Sequence, residues 1–200
     1  DQSLERSEHF DILNSVNLDL KSLALDKIES EAETMRSYLQ GLLKDLESYK
    51  NSGKDKKPSE EVIKKIGGKI KHITSHGLEL KNLLASLEDQ YYLPIINILK
   101  KLNEKLSKDE INKLIVKLQK DLETVKSLDS QITRIVGYNE LFNPEKNSKH
   151  KEEIEKEAEK RVIHGYLNEL LDTLLKAITD RTLGIKNRIE KNDPIEYAKR

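Results

Sequence analysis

From Leu25 the apolar residues of the chain recur three and four positions apart, at Leu25, Ile28, Ala32, Met35, Leu39, Leu42, Leu46 and Tyr49. Glu29, Glu33, Arg36 and Lys44 fall outside that series. Such a period lays one apolar stripe along an α-helix, predicted over residues 20–50. The polar stretch from Asn51 to Pro58, with Gly53 inside it, ends that helix. Ser59 ahead of Glu60 and Glu61 reads as an N-cap with acids in the first turn, where the helix dipole favours them. A second helix then carries Val62, Ile66, Ile70, Ile73, Leu80, Leu84 and Leu87. Gly67, Gly68 and Gly77 interrupt it, each at a cost of roughly 1 kcal/mol relative to Ala, which points to close helix approach or a kink. Pro94 disfavours the α conformation at Leu93, so this helix is expected to end or kink there.

A third, shorter helix follows with Ile95, Ile96, Ile98, Leu99, Leu102 and Leu106, apolar around much of its circumference. Ser107-Lys108-Asp109-Glu110 has the form of a capping box, in which Ser107 and Glu110 each take the other's amide. It opens a fourth helix through Ile111, Leu114, Leu118, Leu122, Val125, Leu128, Ile132 and Ile135. Residues 137–148 are expected to form a loop that Tyr138, Leu141 and Phe142 pin to the core. A fifth helix is predicted over 149–192, charged at first and then amphipathic, ended by Asp193-Pro194. Phe10, Ile12 and Leu13 suggest a short N-terminal helix or arm over 1–17. The expectation is an all-α fold, a bundle of about five main helices plus a short N-terminal one. It forms a single domain over 1–200, with 18–200 as the bundle.

Composition narrows the class. Charged and hydrophobic residues each make up 36% of the chain, and aromatics only 4%, which suits a thin helical bundle and not a β-sandwich. Lys and Arg number 36 and Asp and Glu 36, interspersed along the chain. A nucleic-acid binder needs a basic excess to neutralise phosphates, so none is expected as partner. The absence of Cys excludes disulfides, thiolate metal sites and a Cys nucleophile. No run approaches the ~18 apolar residues of a membrane span. The chain opens at Asp1 without a signal-like apolar region and reads as an excised mature domain, in which case any leader or lipid-anchoring Cys upstream is expected to be cut away.

Candidate chemistry is sparse. His72 and His76 share a helix face at the spacing of a two-His metal site, but Ile73 stands where a zincin motif has Glu, and no third ligand beyond Glu79 suggests itself. The ordinary polar face is the favoured reading, with no metal site and no cofactor assigned. The carboxylates at Glu152, Glu153, Glu155 and Glu159 alternate with Lys as exposed pairs do. Gly67-Gly68-Lys69 lacks the rest of a phosphate loop, and no nucleophile elbow is present. The chain is therefore expected not to be an enzyme. Two stretches are candidates for partner binding: Tyr91, Tyr92 and Leu93 at the helix break, and the basic loop of Lys54, Lys56 and Lys57. The bland readings are a buried corner anchor for the first and a solvated loop for the second.

Phe10-Asp11-Ile12-Leu13 near the start, Leu106-Ser107-Lys108-Asp109-Glu110 opening a helix through Leu114, Leu118 and Leu122, and the order of helices around them resemble one family. It is the plasmid-encoded outer-surface lipoprotein family of Lyme-disease Borrelia that includes the complement factor H-binding surface protein. The resemblance implies a lipid-anchored, surface-exposed helical bundle on the outer membrane, touching the membrane only through an N-terminal anchor. It implies a host or tick protein as partner, a complement regulator among the candidates, with a role in immune evasion or colonisation. The family's factor H binder dimerises through its C-terminal helix, which Asp193-Pro194 interrupts here, so a monomer or weak dimer is expected. The competing expectation is a structural helical assembly protein without a host ligand.

Overall fold

The computed structural model describes residues 23–51, 58–145 and 148–191. Within them the backbone is helical and no strand occurs, in seven α-helical segments. They are α1 (Leu25–Asn51), α2 (Glu60–Leu87), α3 (Leu93–Leu106), α4 (Asp109–Phe142), α5 (Lys151–Ile163), α6 (Tyr166–Arg181) and α7 (Ile185–Lys191). The fold is an all-α bundle, as the periodicity predicts. The predicted arm over 1–17, the Lys54–Lys57 loop and Asp193-Pro194 lie outside the described residues.

The apolar stripes are buried where the period places them. Ile28, Ala32, Met35, Leu39 and Leu42 on α1 and Ile70, Ile73 and Leu80 on α2 have no exposed surface. Ser59 caps α2, its Oγ accepting the Val62 amide at 3.3 Å. The chain groups into two compact units, one of residues 23–29, 82–127 and 184–191 and the other of residues 30–81 and 128–183.

Three boundaries differ from the sequence reading, and at Pro94, where an end or a kink is expected, α2 gives way to α3 through a π turn without a loop. Glu88–Tyr92 forms a π-helical turn, and the Leu93 amide reaches back five residues to the Glu88 carbonyl. Proline removes an amide and crowds the carbonyl four residues earlier, and the wider turn relieves both while the helix goes on.

The capping box at Ser107 does not form. Ser107 takes left-handed backbone angles (φ 49°, ψ 41°) as the C-cap of α3, its amide donating to the Asn103 carbonyl. An N-cap side chain needs β-region backbone angles, which Ser107 lacks. The Asn103 side chain accepts the Lys108 amide at 2.9 Å instead.

Residues 137–142, expected in a loop, extend α4 to Phe142, whose buried ring rewards one more turn. The predicted fifth helix is three segments, α5, α6 and α7. Gly165 and Gly184 take φ of 74° and 83°, and a left-handed residue breaks the i→i−4 ladder.

Candidate partner-binding surface

Helix α5 ends on a tight turn. The His164 amide donates to the Lys160 carbonyl and the Gly165 amide to the Val162 carbonyl. The left-handed Gly165 then redirects the chain, and its carbonyl accepts the Glu169 amide to start α6. The turn leaves large apolar side chains facing water: Ile163 is 55% exposed and Tyr166 50%.

Arg161, two residues before Ile163, is clamped beside them. Its guanidinium carbon lies 5.7 Å from the centroid of the Tyr138 ring and 5.6 Å from that of Tyr166, within cation–π range of both. Its Nε donates to Glu157 Oε1 at 3.0 Å and its Nη1 to the Tyr138 hydroxyl at 3.4 Å. Those hydrogen bonds, Tyr138 first and then Glu157, raise the Arg161 pKa further and secure its charge. Tyr138 in turn stacks on the buried Phe142 ring at 6.4 Å, and the exposed His164 lies 5.8 Å from Tyr166. The result is an aromatic and aliphatic patch around an arginine held in one geometry, the residue types that carry most of the energy in protein interfaces.

The apolar period does not reveal this patch, since it puts Tyr138 in a loop and Arg161 and Tyr166 in one uninterrupted helix. The local signal is Gly165 between an arginine and a tyrosine, but the arrival of Tyr138 from α4 is a tertiary fact.

Of the candidates the sequence does supply, Tyr91 and Tyr92 are buried, 2% and 4% exposed, and meet edge to face at 5.0 Å. Of the two readings given for them, this is the buried corner anchor and not the exposed interface aromatic: the π turn faces both rings inward, where burial stabilises them more than water contact does. Burial is the main reason the Tyr92 phenol titrates above its ordinary range, with the Asp121 charge adding to it and Arg188 opposing it. Leu93 alone of the three is exposed. Lys54, Lys56 and Lys57 lie outside the described residues.

The histidine pair is part of a larger cluster. His76 Nδ1 lies 2.6 Å from Glu31 Oε2 on α1. The Tyr38 ring, also on α1, stacks on His72 at 5.6 Å and on His76 at 5.7 Å. Among the described residues no three His, Cys, Asp or Glu side chains come together as a metal-holding group. Nor is any described helix long and apolar enough to cross a membrane. No family model, no curated protein and no solved structure matches this chain.

Proposed function

We propose that this chain is the helical domain of a bacterial outer-surface lipoprotein that binds a host or vector protein and carries out no catalysis. The family resemblance of its sequence supports the lipoprotein reading. The observation that carries the binding reading is the Arg161 clamp: a guanidinium fixed between two tyrosine rings, beside Ile163 and Tyr166, each at least half exposed. A side chain ordered before a partner arrives loses little further rotamer freedom on binding, and an exposed apolar rim gains by leaving water. In this reading Ile163 and Tyr166 supply the buried contact and Arg161 a directed charge-assisted hydrogen bond.

The test is a screen of the immobilised chain against human serum proteins, factor H included, at physiological salt. Saturable binding that weakens at least tenfold in Arg161→Ala and Tyr166→Ala supports both the role and the surface. Saturable binding indifferent to both substitutions keeps the role and moves the surface elsewhere. No binding to serum or tick proteins, together with concentration-dependent assembly in sedimentation, replaces the proposal with a structural role.

A further inference from the structure

His72 and His76 stand at i and i+4 on α2, which brings two imidazoles to the same stretch of one helix face. Two residues of α1 order them. An ionised carboxylate can only accept a hydrogen bond, so the contact from Glu31 Oε2 puts the proton of neutral His76 on Nδ1 and leaves the Nε2 lone pair available. That carboxylate–imidazole pairing is the support that metal-ligating histidines commonly have, because it fixes the tautomer, turns the ring and raises its basicity. The Tyr38 ring is inclined by only 7° to His72 and 23° to His76, so one neighbour limits the rotation of both imidazoles. His72 is exposed and the His76 side chain is 32% exposed, so a hydrated ion can reach them. The four residues belong to the same compact unit.

We propose that His72 and His76 bind one divalent transition-metal ion through one ring nitrogen each, with water completing the coordination shell. Glu31 and Tyr38 act as positioning residues. With only two protein ligands the site is open. Imidazole ligands select the borderline ions, Cu²⁺ ahead of Ni²⁺ and Zn²⁺, over Mg²⁺ and Ca²⁺, which prefer oxygen. The site stands apart from the Arg161 surface in sequence and chemistry and does not depend on the lipoprotein reading.

The full chain is titrated calorimetrically with Cu²⁺ and with Zn²⁺, and the imidazole resonances are followed by NMR as Zn²⁺ is added. The expected result is one site per chain, with Zn²⁺ shifting the His72 and His76 rings. His72→Gln and His76→Gln each weaken binding at least tenfold, whereas His150→Gln leaves it unchanged. Glu31→Gln keeps the stoichiometry and weakens affinity by about 10- to 100-fold, the usual effect of losing a partner behind a ligand. Circular dichroism at matched temperature establishes that each variant remains helical. Equal affinity in wild type and His72→Gln, or Zn²⁺ shifts confined to other histidines, overturns the site. Unchanged affinity in Glu31→Gln overturns the positioning role.

Discussion

The Asn143 side-chain amide donates to the Gly67 carbonyl at 2.9 Å, joining the residue just past the end of α4 to the N-terminal third of α2. A Cβ built on Gly67 would lie 2.9 Å from the Phe142 carbonyl oxygen and 3.1 Å from Asn143 Oδ1. The first of those neighbours is backbone and cannot turn aside. Gly68, one position on, is exposed and has nothing within 4 Å. Adjacent glycines in one helix are therefore predicted to respond oppositely. Gly67→Ala should destabilise by about 1–3 kcal/mol, the usual cost of overpacking. Gly68→Ala should stabilise by about 0.5–1 kcal/mol through helix propensity and a less flexible unfolded chain. Urea unfolding of the two variants decides the matter, and a shift of the same sign in both would show that α2 and α4 do not meet here.

Most of the fold was legible because an apolar stripe at helical spacing dictates its own burial. The stripes of α1, α2 and α4 needed nothing but the spacing of Ile and Leu. Boundaries were less legible, since they depend on competition between local and tertiary terms. Ser107 looks like an N-cap, but Asn103 offers the Lys108 amide an alternative acceptor, and Ser107 closes α3 instead. Of the two clusters only the His72 and His76 pair was legible, from its spacing on one helix. Tyr38 meets His72, and Tyr138 meets Arg161, only through the register of neighbouring helices, which no spacing within one helix encodes.

Gly165 holds the turn on which the proposed binding surface rests, at φ 74° with open space around it. An alanine there meets no neighbour but must adopt a left-handed backbone, which costs roughly 1–2 kcal/mol. Gly165→Ala should lower the thermal midpoint, while Gly41→Ala, helical and equally open, should raise it. Differential scanning calorimetry reads both, and a neutral Gly165→Ala would mean that the α5–α6 turn takes another form in solution.

Arg161→Lys preserves the charge but not the planar fork that reaches Glu157 and Tyr138 while lying against two rings. Lysine stacks poorly on aromatic faces and donates as a point, so this substitution is not conservative here. A loss of about 0.5–1 kcal/mol is expected, as for partly exposed cation–π contacts. If Arg161→Lys unfolds in urea like wild type, the clamp contributes nothing to the free chain and its geometry is not held in solution.

Asp121, half-buried on α4, has its pKa raised above 3.8 chiefly by desolvation, with Arg188, Lys117 and Lys120 partly offsetting the effect. The folded state thus binds this proton more tightly than the unfolded chain, which makes stability fall as pH rises from the ordinary carboxylate range through the folded value. At neutral pH the native state carries a charge in a site that disfavours it. Asp121→Asn keeps the shape and removes that charge. Relative to wild type it should be indistinguishable at about pH 3, below the ordinary carboxylate range, and more stable at about pH 7, by no more than about 1 kcal/mol because water screens a side chain that is not fully enclosed. The measurement is a pair of urea curves at each pH for wild type and variant. A variant less stable at neutral pH would reverse the sign, and would mean that attraction to Arg188 and the two lysines outweighs the cost of burying the carboxylate.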